Sequence, residues 1–135
     1  MKLYLDSSAV VKLVRREAES DALRRFLRRH RDDGRVTSAL ARVEVVRAVS
    51  AAGPAAVAHA RRQLARLDQI NLDRGLLDEA AVLGPGAILR SLDAIHLACA
   101  RAVGPDLHAV VTYDQRMRAA ALELGMAVEA PNGSP

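Results

Sequence analysis

The spacing of hydrophobic residues changes several times along the chain, and each change predicts a boundary between a strand and a helix. At the start, Leu3 and Leu5 alternate with Lys2 and Tyr4, the period of two that is typical of a short strand. Apolar residues then recur at helical spacing through residues 8–16, which predicts a first helix. The chain therefore begins with a strand that leads directly into a helix.

The rest of the chain repeats this alternation, which predicts an α/β domain with a mostly parallel central sheet covered by helices on both faces. The length of 135 residues fits one domain over residues 1–130, with a frayed tail at 131–135. A tight loop at residues 84–87 is expected to be the most flexible segment. Ser20 or Asp21 is predicted to cap the second helix, and Ser91 is predicted to cap the helix that contains Asp93. The other helices are predicted to span about 39–52, 54–69, 74–83 and 115–124, and the further strands to span 35–38, 70–72, 107–112 and 126–130.

Four acidic residues fall at one edge of this predicted sheet. Asp6 and Asp114 directly follow strands, and the carboxyl ends of parallel strands meet where open α/β sheets bind ligands. Asp93 lies in the first turn of its helix, and Glu44 lies early in a helix that is apolar almost all round and is therefore expected to be central. Singly, each acid has a structural explanation: a helix cap, an interaction with the helix dipole or, for Glu44, an ion pair with Arg47. Together they predict a carboxylate cluster.

A cluster of four carboxylates needs a positive counter-charge, because like charges repel strongly in a low dielectric. A hard divalent cation supplies that charge, and ligands that are all oxygen favour Mg²⁺ or Mn²⁺ over Zn²⁺. Such a site suits hydrolysis of a phosphodiester by a metal-activated water. His96, one helical turn after Asp93, either orients that carboxylate or is a hydrogen-bonded structural residue.

Composition narrows the set of partners. One Phe, two Tyr and no Trp leave few rings for base stacking, so an aromatic platform for nucleic acid is not expected. The net charge of +4 comes mainly from arginine, which suits either a nucleic acid or an acidic protein. Cys99, the single cysteine, is expected to lie in the core, and no apolar run approaches the length of a membrane span. We therefore expect a soluble cytoplasmic protein.

Each of the four acids lies in a short motif. The motifs are Tyr4-Leu5-Asp6-Ser7-Ser8-Ala9, Ala41-Arg42-Val43-Glu44, Leu92-Asp93-Ala94-Ile95-His96-Leu97-Ala98 and Val111-Thr112-Tyr113-Asp114. Their identity and order resemble those of the PIN-domain ribonucleases, specifically the VapC-type toxins of bacterial type II toxin–antitoxin systems. The specificity of the resemblance lies in the four motifs occurring together and in order, and it covers essentially residues 1–130.

This resemblance implies a three-layer PIN-like α/β fold and Mg²⁺- or Mn²⁺-dependent endoribonuclease activity. It also implies a homodimer that a cognate VapB-like antitoxin inhibits. The residues that match the family's metal-binding and catalytic acids are Asp6, Glu44, Asp93 and Asp114; those expected to support the acids or a metal-bound water are Ser7 or Ser8 and Thr112; and candidates to hold the RNA backbone are Arg15, Arg42 and Arg116. The expected reaction is in-line attack by a metal-activated hydroxide, with the 3′ oxygen of the RNA leaving.

Two other functions remain open on the sequence. Asp6 after the first strand also fits a phosphatase of the haloacid dehalogenase type, in which that residue is the nucleophile, although such enzymes usually carry an acid or Thr where this chain has Ser8. A non-catalytic module would instead bind nucleic acid through arginine-rich helix faces, or a protein through the apolar hairpin that the helices at 39–52 and 54–69 are predicted to form. A covalent phospho-intermediate distinguishes the first function, and binding that survives EDTA distinguishes the second.

Overall fold

Five parallel strands form the centre of the structure, a computed structural model that describes residues 1–84 and 89–133. Their order across the sheet is β3-β2-β1-β4-β5, and all four pairings are parallel, which confirms the predicted α/β class. The strands are β1 (Lys2–Leu5), β2 (Gly34–Ser38), β3 (Asp68–Ile70), β4 (Leu107–Val111) and β5 (Val128–Glu129). The helices are α1 (Ser7–Val14), α2 (Ser20–Arg29), α3 (Ala41–Val49), α4 (Pro54–Ala65), α5 (Arg74–Ala81), α6 (Ser91–Ala102) and α7 (Gln115–Glu123).

The sheet separates two apolar layers, because alternate residues of each strand face opposite sides. From β1, Leu3 and Leu5 pack into the layer formed with helices α1 to α4. Tyr4, between them, packs into the other layer, which includes Leu97 of α6 and Met117 of α7. Both layers are almost wholly aliphatic, as the shortage of aromatic residues requires. Within the described residues, no helix is long and apolar enough to span a membrane.

The boundary between α4 and β3 differs from the predicted one, and tertiary contacts explain the difference. Helix α4 ends at Ala65, where the predicted helix ran to about 69, and β3 begins at Asp68, where the predicted strand began at 70. The early end of α4 follows from strand pairing, because Val36 of β2 pairs with Asp68, and from Gln69, whose side-chain amide donates to the carbonyl of Leu64. Pairing with the neighbouring strand thus outweighs the apolar pattern that favoured a longer helix.

Helix α3 is less central than its composition predicts. It ends at Val49 and continues only as a 3₁₀ turn to Ala52, where Gly53 follows with a φ of 100°. One face is buried, through Ala41 and Val45 among others, but Val43 is 56% exposed. Small and branched apolar residues on its outer face therefore gave this helix a pattern that overstates its burial.

The predicted helix caps Ser20, Asp21 and Ser91 are also wrong. The cap of α2 is Glu19, and the cap of α6 is Arg90; neither makes a side-chain capping bond. Ser20 is instead buried inside the first turn, where its Oγ accepts from the backbone N–H of Glu17 at 2.9 Å. The predicted loop at 84–87 lies largely outside the described residues, as do the last two residues of the predicted tail.

Candidate active site

Asp6 is buried at the carboxyl end of β1, with only 2% of its surface exposed. Its Oδ1 caps α1 by accepting from the backbone N–H of Ala9 at 3.0 Å, and it also accepts from Ser8 Oγ at 2.6 Å. Its Oδ2 accepts from the hydroxyl of Thr112, at the end of the neighbouring strand β4. Burial raises the pKa of Asp6 above its ordinary value, although these hydrogen bonds act in the opposite direction. The side chain is therefore fixed from two strand ends.

Thr112 also connects Asp6 to Asp114. Its Oγ1 accepts from the backbone N–H of Asp114 at 3.1 Å while its proton goes to Asp6, so it supports both acids. Asp114 caps α7, since its Oδ1 accepts from the backbone N–H groups of Arg116 and Met117 at 2.8 and 3.0 Å. Because the cap uses Oδ1, the second oxygen, Oδ2, takes no part in it and accepts from Arg90 instead.

Glu44 extends from α3 to the same edge and ends in a hydrogen-bonded network. Its Oε1 accepts from Ser7 Oγ at 2.8 Å and from His96 Nε2 at 2.6 Å. The other ring nitrogen, Nδ1, lies 2.7 Å from the hydroxyl of Tyr4, so the geometry fits an imidazole that accepts from Tyr4 and donates to Glu44. Burial alone raises the pKa of Glu44, but the bonds from His96 and Ser7 outweigh it and hold that pKa below its ordinary value.

This network decides between the two explanations considered for Glu44. It also decides between the two considered for His96, which is the hydrogen-bonded structural residue. Within the part of the chain that the structure describes, Glu44 forms no ion pair with Arg47. His96 contacts Glu44 on another helix and makes no hydrogen bond to Asp93 on its own helix. Tyr4 was missed by sequence reasoning, because its hydroxyl reaches His96 across 92 positions of the chain.

Asp93 completes the acidic edge, and an arginine bridges it to Asp114. Arg90 Nε donates to Asp93 Oδ2 at 2.9 Å, and Arg90 Nη2 donates to Asp114 Oδ2 at 3.0 Å. Asp93 and Asp114 raise the pKa of Arg90 above its ordinary value, which is already high. Arg90 too was missed in the sequence, although its place three residues before Asp93 at a helix start permits such a pair.

The donor chemistry of this edge fits a hard divalent cation, since all four acids offer oxygen. A cationic guanidinium already lies between two of them, which shows that positive charge is favoured there. In residues 1–84 and 89–133, however, no three acidic, histidine or cysteine side chains are grouped closely enough to hold a metal ion. The edge therefore fits such an ion by its ligands, while its present arrangement is organised around Arg90.

The three arginines proposed to hold RNA do not contact the acids through their side chains. Arg15 donates to the carbonyl of Ala48 at 3.2 Å and to Glu17 at 3.1 Å. Arg42 and Arg116 are exposed, with only the backbone N–H of Arg116 bound to Asp114. Their role in RNA binding stays a prediction.

Comparison with known proteins gives full-length matches. The chain matches the profile described as PIN domain over residues 3–123. It is 57% identical over 131 residues to Ribonuclease VapC46 of Mycobacterium tuberculosis, covering 96% of this chain and 98% of that protein. Ribonuclease VapC35 of the same species is 46% identical over 131 residues, and Ribonuclease VapC47 is 40% identical over 132; each alignment covers 96% of both proteins.

Solved structures extend this likeness to the fold. The crystal structure of Mycobacterium tuberculosis VapC20, described as a Sarcin-Ricin loop cleaving toxin, superposes with a TM-score of 0.71 at 21% identity, covering 88% of this chain and 95% of that one. PAE2754 from Pyrobaculum aerophilum superposes with a TM-score of 0.65 at 22% identity, covering 89% and 84%. At these identities the likeness concerns the arrangement of strands and helices.

Proposed function

Since this chain belongs to the PIN domain family and, within it, to the VapC-type toxins, we propose that it is an endoribonuclease whose acidic edge holds a divalent cation. The ion would be Mg²⁺ or Mn²⁺, and its ligands would come from Asp6, Glu44, Asp93 and Asp114. When bound, it would lower the pKa of a water molecule and neutralise charge that develops on the phosphate oxygens. The reaction would be hydrolysis of an RNA phosphodiester bond with the 3′ oxygen leaving.

The observation that supports this proposal most strongly is the placement of the four acids at one edge by separate elements. Asp6 and Asp114 meet through Thr112 at the ends of adjacent strands. Glu44 is joined to the start of α1 through Ser7, the residue after Asp6. Asp93 is joined to Asp114 through Arg90. A structural cap requires one acid at a time, whereas four acids at one edge favour a function that uses negative charge.

The remaining residues of the site fix the acids and leave oxygens available. Ser8 and Thr112 fix Asp6, and His96 and Ser7 hold one oxygen of Glu44. The second oxygen of Glu44 has no hydrogen bond to any described residue, and the same is true of Asp93 Oδ1. These are the oxygens that could bind an ion without disturbing the network that orients the side chains.

The partners follow from membership of the family and are part of the same proposal. We expect a VapB-like antitoxin to inhibit the enzyme, the active form to be a homodimer, and RNA in the cytoplasm to be the substrate. The net charge of +4, which comes mainly from arginine, favours association with RNA.

Protein freed of any antitoxin is expected to cleave total cellular RNA when Mn²⁺ or Mg²⁺ is present and to lose that cleavage in EDTA. Because the 3′ oxygen is the expected leaving group, the new ends should be a 5′ phosphate and a 3′ hydroxyl. Sequencing the ends tests the chemistry and identifies the cleaved RNA in one experiment.

Two results of that assay would contradict the proposal. Cleavage that continues in EDTA would point to another chemistry or a contaminating nuclease. Folded protein that binds RNA in EDTA and cleaves none with either metal, across transfer, ribosomal and messenger RNA, would support the non-catalytic binding module.

A separate incubation with a phosphomonoester tests the haloacid dehalogenase-like phosphatase. A phosphoaspartate on Asp6 would support that function.

A further inference from the structure

Arg90 occupies the position between two of the acids that a cation bound at this edge would need. We propose that its guanidinium is an internal counter-cation, which a divalent ion has to displace before Asp93 Oδ2 and Asp114 Oδ2 can bind that ion. This inference rests on the proposed metal site and adds a competitor from the chain itself. Arg90 is thus a positioning residue. At low metal concentration its guanidinium binds the two acids, and at high metal concentration the ion displaces it.

The contacts of Arg90 make the two cations mutually exclusive. Neighbouring nitrogens of one planar guanidinium donate to Asp93 Oδ2 and Asp114 Oδ2, at 2.9 and 3.0 Å. Those two oxygens therefore already converge on one point. A divalent ion of this class needs oxygens about 2.0–2.1 Å away, so it cannot share that point with the guanidinium.

The side chain of Arg90 is more exposed than the two acids that it contacts, so it can turn outward. Its side chain is 57% exposed, against 10% for Asp93. The two carboxylates are its only hydrogen-bond partners within the described residues. Both bonds can be replaced by water once the guanidinium turns outward, and exposed ion pairs of this kind are weak. An ion with a double charge can therefore compete.

The backbone of Arg90 does not depend on its side chain. Arg90 is the cap of α6, but it caps through its carbonyl, which accepts from the backbone N–H of Ala94 at 2.9 Å. No side-chain capping bond is made. Arg90→Gln should therefore leave the start of α6 folded, so that a change in metal affinity reports on the guanidinium itself.

The test is calorimetric titration of Mn²⁺ into RNA-free protein. Arg90→Gln should bind Mn²⁺ roughly three- to tenfold more tightly than the wild type, because two partly exposed ion pairs no longer compete. Arg90→Lys keeps the charge but loses the fork, and its affinity should fall between the two. Arg101→Gln, at the exposed far end of the same helix, makes the same change in net charge and should leave the affinity unchanged.

Circular dichroism of each variant shows whether it is folded, so every outcome is informative. If folded Arg90→Gln binds Mn²⁺ no more tightly than the wild type, the proposed displacement is wrong. It is also wrong if Arg101→Gln gains as much Mn²⁺ affinity as Arg90→Gln, because that gain would be an effect of net charge alone. Absence of Mn²⁺ binding in all four proteins overturns it as well. Ribonuclease activity is judged separately, by cleavage with and without EDTA, so failure of the displacement and failure of the proposed function remain distinguishable.

Discussion

Asp6→Asn is expected to lower the rate of metal-dependent RNA cleavage by more than about a hundredfold. Loss of a residue that only supports a metal ligand typically costs up to about a hundredfold, and Asp6 is proposed as a ligand itself. Asp6 is the most buried of the four acids, and Ala9, Ser8 and Thr112 all donate to it. The Asn side chain has nearly the same shape, so the loss of charge rather than a loss of packing should cause the effect. Single-turnover cleavage in Mn²⁺ measures it.

The same substitution should not destabilise the fold at neutral pH. Burial raises the pKa of Asp6 above its ordinary value, so ionised Asp6 opposes folding once the pH exceeds that raised pKa. The Asn side chain carries no charge. The stability of the Asp6→Asn variant relative to the wild type should therefore be greatest at neutral pH, and this advantage should fall as the pH approaches 3.8, the ordinary pKa of an Asp side chain. Thermal unfolding across that range tests the sign of the difference.

Asp78→Asn is the matched control, because Asp78 lies exposed on α5 and makes no contact with the acids. It should leave both cleavage and stability unchanged. Wild-type cleavage by Asp6→Asn would show that the carboxylate has only a capping role. A large loss of stability in Asp6→Asn would show that the hydrogen bonds of the carboxylate outweigh the cost of burying its charge.

His96→Ala should have the largest effect on stability. His96 is buried, with 2% of its surface exposed, and it joins Tyr4 on one side to Glu44 on the other. Its removal leaves a cavity and removes the hydrogen bond between the buried Tyr4 hydroxyl and the imidazole, so the free energy of unfolding should fall by about 2–4 kcal/mol. Urea unfolding measures that loss. Cleavage should fall roughly tenfold or more, because Glu44 keeps only Ser7 to orient it.

Two variants separate these effects. Tyr4→Phe removes only the hydroxyl, so it should cost about 1 kcal/mol and reduce cleavage less than His96→Ala does. His108→Ala removes a hydrogen bond of the same kind to Asp33, 2.6 Å long, at the opposite edge of the sheet. It should leave cleavage unchanged. Full cleavage by His96→Ala would show that Glu44 needs no imidazole to function.

The fold and the membership of the PIN domain family could be predicted because both depend on local sequence. Alternating apolar residues mark β1, and an acid directly after a strand is visible without knowing what lies beside it. The parallel sheet and the family are confirmed. The roles of Asp6, Glu44, Asp93 and Asp114 stay predictions, although their convergence at one edge agrees with the placement expected from the sequence.

The contacts that organise the site could not be predicted, because they depend on the depth and direction of side chains in three dimensions. Tyr4 looks like any outward residue of a strand until α6 packs over that face and brings His96 to its hydroxyl. Arg90 looks like one of many arginines until its side chain is seen to reach across to Asp114 on another element. Helical spacing likewise could not show that strand pairing would end α4 at Ala65.

The central claim is that the acids act as one site, and a double-mutant cycle tests it most directly. Single-turnover cleavage of the mapped RNA in Mn²⁺ is compared for wild type, Asp6→Asn, Asp93→Asn and the double variant. If the acids hold one ion, each single variant loses most of the activity. The double variant should then cleave no more than about threefold more slowly than the less active single variant. Wild-type cleavage by Asp93→Asn, or a loss in the double variant equal to the product of the two single losses, would contradict a shared site.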